Sequence, residues 1–262
     1  MSAGLPDGAV AAALRAADAA GEILRHWFRQ GLPAEQKSDA SPVTRADREA
    51  ETAIRSVLAE AFPEFGLLGE EFGDDRRGRF TWVIDPIDGT RAFITGRPSF
   101  ATLISLMDGE TPVLGLIDQP VLGERWLAAA GRLDFTGPLG GASGTRRIGR
   151  LAEAELSATT PQMFAGGLAP RFARLEAACR RSSWGDDAYA YGLLALGAID
   201  VIAEADLKPW DWGALVPVVE AAGGVMTDWQ GAPLRFGSDG TALALGDPAL
   251  LEAAIAALQE PL

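Results

Sequence analysis

The sequence predicts an α/β protein of the layered α+β kind, built on mixed sheets. Three observations carry that expectation. Residues 6–61 hold two helical patterns, residues 66–129 hold a run of short apolar strands, and residues 155–258 alternate strands with helices. Every sheet face and every helix stripe has to be covered, and stacking helices on sheets does so. With 262 residues, 48% of them hydrophobic, the chain is long enough to build such a core.

Pro6-Asp7 opens the first helix over residues 6–29, with Val10, Leu14, Ala17, Gly21, Leu24 and Phe28 on one face. A polar, turn-rich stretch from Lys37 to Val43 follows. Thr44 then opens a second helix that turns Ile54, Val57, Leu58 and Ala61 inward and stops at Pro63. Strands are expected at 66–68, 80–84, 100–107, 113–117 and 125–129. Residues 134–150 (DFTGPLGGASGTRRIGR) read as a Gly-rich loop between two subdomains, 1–145 and 146–262. The loop is not a phosphate-binding P-loop, because no Lys follows its Gly-Thr pair. Beyond it come a strand at 155–158, helices at 171–180 and 188–196, a strand at 200–203, a helix at 212–222, a strand at 225–227 and a helix at 248–258.

Charge narrows the function. The formal net charge is -13, which repels nucleic acid and anionic membranes, so neither is an expected partner. One cysteine, Cys179, excludes an internal disulfide framework and fits a reducing compartment. The Ala-rich start carries acids and does not read as a signal peptide, and no apolar run reaches bilayer length. A cytoplasmic location is expected.

The stretch WVIDPIDGTRAF, residues 82–93, runs an apolar strand into Asp85 and Asp88. Two carboxylates that close repel unless something positive lies between them. Other acids stand at comparable places: Glu70-Glu71 after an apolar strand, Glu204 at the end of another, and Asp211 between Trp210 and Trp212 at a helix start. Open α/β sheets place ligands at such ends. Each acid alone is better explained structurally: Asp211 as an N-cap, Asp88 as the cap of a helix near Thr90, Asp47 as the partner of Thr44 in a capping box. Together they form an oxygen-only donor set, which suits Mg²⁺. The single histidine, His26, beside Trp27, reads as a packed or surface residue, so zinc is not expected. Carboxylates sharing two or three Mg²⁺ ions would give the clamp used to cleave phosphate esters. The Gly89-Thr90 turn could hold a phosphate on backbone N–H groups. Pro86 fixes the chain so that the Ile87 carbonyl could turn inward as a neutral ligand.

The segments GEE (69–71), DPIDGT (85–90) and WD (210–211), in that order and spacing, resemble the inositol monophosphatase family of Mg²⁺-dependent, lithium-sensitive phosphatases. SDASPVTRAD (38–47) is similar to the loop before that family's second helix. The resemblance covers nearly the whole chain and implies an α-β-α-β-α sandwich and a homodimer. It implies that Glu70, Asp85 and the Ile87 carbonyl hold a first Mg²⁺, that Asp85, Asp88 and Asp211 hold a second, and that Glu70 helps hold a weaker third through waters. The N-terminal subdomain would supply most of these ligands and the C-terminal one would complete the site. Thr90 and Asp47 would orient or deprotonate the attacking water. For Asp47 the capping box and this role are compatible.

Substrate selection within the family turns on other stretches. Arg91-Ala92-Phe93 departs from the small polar residue and Asn-Phe that follow DGT in inositol-phosphate members. IDQPVLGERW (117–126), SATTPQMF (157–164) and WGDDAYAYGLLALG (184–197) resemble the histidinol-phosphate phosphatase branch, which makes histidinol for histidine biosynthesis. Asp187 and Glu204 fall where the family contacts the leaving group, and an acid there suits the ammonium of histidinol phosphate. Asp187 would otherwise cap the helix that follows it. Arg91 would bind phosphate or pair with a metal-site acid. Three other readings stand beside this one: an inositol-1-phosphate or broad-specificity sugar and polyol phosphatase, a non-catalytic binding protein on the same fold, and a fructose bisphosphatase. The last needs basic residues for a second phosphate, and the pocket residues are acidic.

Overall fold

The structure is a computed structural model and describes residues 4–31, 33–36 and 42–259. The chain begins with α1 (Ala9–Trp27), a short antiparallel ribbon of β1 (Glu35–Gln36) and β2 (Pro42–Val43), and α2 (Arg45–Ala61). The expected turn-rich stretch between the ribbon strands, Lys37 to Ser41, lies outside the described residues, as does that part of SDASPVTRAD.

A first mixed sheet is made of β3 (Gly66–Gly69), β4 (Gly73–Asp75), β5 (Phe80–Asp88), β6 (Ala101–Asp108), β7 (Thr111–Gln119), β8 (Glu124–Ala129) and β9 (Arg132–Thr136), with α3 (Thr90–Ile94) following β5. The spatial order is β4-β3-β5-β6-β7-β8-β9, with only β3 and β5 parallel. The second half adds β10 (Glu155–Ala158), α4 (Leu168–Ala178), β11 (Arg181–Trp184), α5 (Tyr189–Ala195), β12 (Val201–Glu204), α6 (Pro209–Trp212), α7 (Leu215–Ala221), β13 (Val225–Thr227), β14 (Ala242–Leu245) and α8 (Leu251–Gln259). These strands make a second mixed sheet in the order β11-β10-β12-β14-β13.

Three cores separate five layers. Trp82, Ile84, Ile104 and Leu116 face α1 and α2 in one core. Val83, Leu103, Met107 and Ile117 point the other way, onto α5 and α7 and the inner face of the second sheet. Val201, Ala203, Leu243 and Leu245 face outward onto α4 and α8. Side chains alternate between faces along a strand, and both faces of both sheets are covered, so these strands read as continuous apolar runs. The α-β-α-β-α sandwich expected from the sequence is the observed architecture.

The middle helices lie on the first sheet at backbone distance. A Cβ at Gly115 of β7 would overlap the Ala214 carbonyl, and one at Gly213 would stand 2.6 Å from Ser105 Oγ. The expected 212–222 helix is divided into α6 and α7, with Gly213 and Ala214 between them still in right-handed helical backbone. The deepest face of α1 is an alanine ridge (Ala9, Ala12, Ala13, Ala16, Ala17, Ala20), with Val10 and Leu14 only partly buried. Small side chains let α1 approach closely, so the larger residues mark its flank. The Gly-rich loop starts later than expected, because Asp134–Thr136 complete β9, where Leu133 and Phe135 alternate inward.

Candidate active site

β5 delivers the central acids. The strand runs on through Asp88, and its pairing with β6 shifts register between Asp85 and Asp88. Such a bulge re-aims side chains next to functional sites. Asp85 Oδ1 accepts the Ile87 N–H at 2.9 Å, and Thr102 Oγ1 donates to the Pro86 carbonyl at 2.9 Å. The Ile87 side chain is buried against the helix layer, and its carbonyl accepts Thr90 Oγ1 at 3.1 Å. Gly89 takes φ +83°, a left-handed turn that glycine adopts without strain, and starts the five-residue α3. Asp88 does not cap that helix. Its Oδ2 accepts the Ala188 N–H at 2.6 Å, at the start of α5 in the other half of the chain.

Asp211 arrives from the middle layer. It is the third residue of α6 and not its N-cap, which is Lys208; its Oδ2 reaches back to accept the Lys208 N–H at 2.6 Å. It also faces the β5 acids: Asp85, Asp88 and Asp211 each offer an oxygen within 4.8 Å of the others. Glu70, just after β3, donates its N–H to the Ile84 carbonyl at 3.2 Å. Its carboxylate is near enough to raise the pKa of Asp47, Asp85 and Asp211.

Crowding shows in the protonation of the group. Burial, then Glu70, Asp88 and Asp211, push Asp85 well above the carboxylate range. Burial, then Asp187 and Asp211, do the same to Asp88. Asp211 rises to about 7, chiefly by burial, against the Lys208 N–H bond that favours its charged form. Hard, anionic oxygens held this close are the donor set of a divalent cation, which would return them to the charged state. The residues therefore fit a metal.

Asp47 combines two roles geometrically. Its Oδ2 accepts the Thr44 N–H at 2.7 Å and Thr44 Oγ1 at 2.6 Å, the capping box read from the sequence. Its Oδ1 faces Thr90 Oγ1 at 3.4 Å. The side chain has no solvent exposure, and burial raises its pKa.

A cavity of about 130 Å³ adjoins the cluster, lined among others by Asp88, Asp187, Tyr191, Glu204, Asp211 and Met163. Glu204 is 4% exposed and already held: Oε1 accepts the Thr159 N–H at 2.8 Å and Oε2 accepts the Tyr191 hydroxyl at 2.9 Å. Asp187 is different. Its backbone sits at φ +46°, and its Oδ2 is buried without a hydrogen-bond partner. The carboxylate lies directly over Gly89, where a Cβ would come 2.9 Å from its Cγ. It does not cap α5, whose first turn has no side-chain cap. Burial and then Glu204 raise its pKa to about 7, while Arg97 and Arg91 favour its charge. Left-handed backbone and a buried acceptor without a partner thus coincide at one residue of the cavity wall. Arg91 is exposed on α3. His26 is exposed and stacks edge-on to Trp27 at 4.7 Å, away from the acids.

Comparison with known proteins places this geometry. The family model for the inositol monophosphatase family matches residues 7–261. The chain belongs to the inositol monophosphatase family, a metal-dependent family of phosphoric monoester hydrolases. It is 42% identical to the chloroplastic bifunctional phosphatase IMPL2 of Arabidopsis thaliana over 87% of this chain and 66% of that longer protein. It is 37% identical to the histidinol-phosphatase of Mycobacterium tuberculosis over 88% of this chain and 91% of the relative. The solved structure of an inositol monophosphatase from Zymomonas mobilis superposes with a TM-score of 0.86 at 44% identity, covering 96% of this chain and 97% of that one. Among the described residues, no helix is long and apolar enough to cross a membrane.

The raised carboxylates set a pH dependence. Asp187 and Asp211 titrate near 7 when folded and near the ordinary ~3.9 when unfolded. Between those values the folded state holds more protons, so stability falls as pH rises. The metal-free protein is expected to melt at least about 5 °C lower at pH ~8 than at pH ~5.5, and millimolar Mg²⁺ should remove most of that slope. Melting curves with and without chelator check this; a metal-independent profile would contradict it.

Proposed function

We propose that the chain is a Mg²⁺-dependent phosphomonoesterase that hydrolyses histidinol phosphate to histidinol and phosphate. Asp187 carries the reading: a half-buried carboxylate in the cavity beside the acid cluster, its Oδ2 buried without a hydrogen-bond partner, held in strained backbone over the Gly89 turn. The histidinol-phosphatase relative adds support. Glu70, Asp85, the Ile87 carbonyl, Asp88 and Asp211 would hold two to three Mg²⁺ ions. Bound there, the ions would supply charge for activating water and stabilising the leaving oxygen.

The remaining work falls to the chain itself. Thr90 Oγ1 stands 3.1 Å from the Ile87 carbonyl and 3.4 Å from Asp47 Oδ1, and turning its one proton to Asp47 would leave its lone pairs to align a water whose proton Asp47 can take up through the hydroxyl. The Gly89-Thr90 turn would offer backbone N–H groups to the phosphate, and the space left by the missing Cβ at Gly89 is taken by the Asp187 carboxylate. Asp187 would accept a charge-assisted hydrogen bond from the substrate ammonium, which in turn would return its pKa toward the ordinary range. Glu204, with both oxygens engaged, would shape and charge the same wall.

Phosphate release from histidinol phosphate and inositol-1-phosphate tests the reading, and higher kcat/KM on the first is expected. Asp187→Asn should raise KM for histidinol phosphate about 10-fold or more, since a charged hydrogen bond contributes ~1.5–3 kcal/mol. A phosphate ester with an uncharged leaving group should be little affected. Equal losses on both substrates would instead assign Asp187 to support of the metal site. The second reading, an inositol-1-phosphate or broad polyol phosphatase, is favoured by the Zymomonas mobilis structure. A wild-type preference for inositol-1-phosphate would establish it.

A further inference from the structure

Helix α2 carries Asp47, Glu51 and Arg55 one turn apart, so the three share a face. Asp47 addresses Thr90. Glu51 has no solvent exposure, yet its carboxylate holds a turn in a different element. Oε2 accepts the Glu71 N–H at 2.7 Å, and Oε1 accepts the Phe72 N–H at 3.3 Å and Arg55 Nε at 2.7 Å. Arg55 Nη2 donates onward to the Gly73 carbonyl at 2.8 Å. Residues 70–72 form the connection between β3 and β4, closed by the Gly69–Gly73 pair. Gly69 leaves room for this approach, because a Cβ there would overlap Glu51 Oε1. The Glu70 N–H is fixed from the other side by the Ile84 carbonyl.

A buried ion pair is weak evidence for stability, since apolar residues of similar volume often serve as well. The atoms gripped here are specific: the two amides that follow Glu70 and the carbonyl that closes its hairpin. We propose that Glu51 is a positioning residue for the metal site, fixing the Glu70–Phe72 turn so that Glu70 faces Asp85, and tying that turn to the helix that presents Asp47. The inference rests on Glu70 being a metal ligand, as proposed above.

The test is calorimetric titration of Mg²⁺ into metal-free wild type, Glu51→Gln, Glu70→Gln and Ile54→Val. Glutamine keeps the size of the side chain but turns one acceptor into a donor facing other donors. Groups that orient ligands typically contribute 10–100-fold in metal affinity, so Glu51→Gln should weaken Mg²⁺ binding by about that much. Ile54→Val loosens the same helix without touching the turn and should lower the melting temperature while leaving Mg²⁺ affinity near wild type. If Glu51→Gln binds like wild type while Glu70→Gln does not, the positioning role is overturned alone. If Glu70→Gln also binds like wild type, the ligand assignment fails and the positioning role goes with it. Equal weakening by Ile54→Val would trace the effect to helix stability and overturn the proposal. Should Glu51→Gln not fold, Arg55→Gln releases the Gly73 carbonyl from the more exposed end; weaker Mg²⁺ binding supports the clamp, and unchanged binding overturns it.

Discussion

Asp85→Asn is expected to reduce turnover by at least about 10³-fold at millimolar Mg²⁺, the equivalent of several kcal/mol of lost charge stabilisation. Asp85 is 2% exposed and lies within reach of Asp88, Asp211 and Glu70, so its charge is shared by the whole cluster. The fold should survive. Asparagine Oδ1 can still accept the Ile87 N–H that shapes the turn around Pro86. In chelator the variant should gain on wild type as pH rises, because the amide stays neutral where Asp85 is forced to ionise beside Glu70, Asp88 and Asp211. A variant that turns over nearly normally would remove the metal from the reaction, and one that gains nothing on wild type in chelator at any pH would show that charge repulsion at Asp85 is not a cost to the fold.

Thr90→Ala and Asp47→Asn should each slow turnover by about 10²–10⁴-fold, the range for general acid–base participation. The 3.4 Å separation of Thr90 Oγ1 from Asp47 Oδ1 is long, but such contacts often tighten only with substrate bound. Mg²⁺ affinity should change little in either variant. Because the two act through one proton path, the double variant should be less impaired than the product of the singles. Asp47 has a competing role as the cap partner of Thr44. A purely structural Asp47 would cost about 1 kcal/mol of stability on substitution and leave kcat alone. Melting and turnover measured on the same protein separate the two.

Much of this arrangement is legible in the sequence, for physical reasons. α2 announces itself by the Thr44 cap and the Ile54–Leu58 spacing, and β5 by an apolar run into an acid. Elements whose pattern lacks contrast are harder. β4 is an exposed Gly-Asp-Asp, and β11 is an exposed edge strand, so neither shows an apolar face. β14 reads Ala-Leu-Ala-Leu, fully buried on both faces and without β-branched residues. Within the site, the acids of β5 and α6 are visible because they interrupt apolar runs. Glu51 was missed, although it falls one turn after Asp47 among the inward positions Ala46, Ala50 and Ile54, where an acid needs a reason. Its reason lies in the backbone of a turn twenty residues on, which no local pattern encodes. The left-handed backbone of Asp187 is likewise set by its surroundings.

The bare backbone at Gly115 and Gly213 has a consequence for ionic radius. Asp85 and Asp88 stand on the first sheet and Asp211 on the helix layer above it, so the gap between layers decides how far the carboxylates stand apart. Oxygen-to-ion distances are about 2.0–2.1 Å for Mg²⁺ and about 2.3–2.6 Å for Ca²⁺, a difference of a few tenths of an ångström. A methyl group at Gly115 would stand 2.2 Å from the Ala214 carbonyl, so it would press the layers apart and favour the larger ion. In the proposed function, the size of cation held would therefore depend partly on two residues outside the ligand set, through the volume they do not occupy.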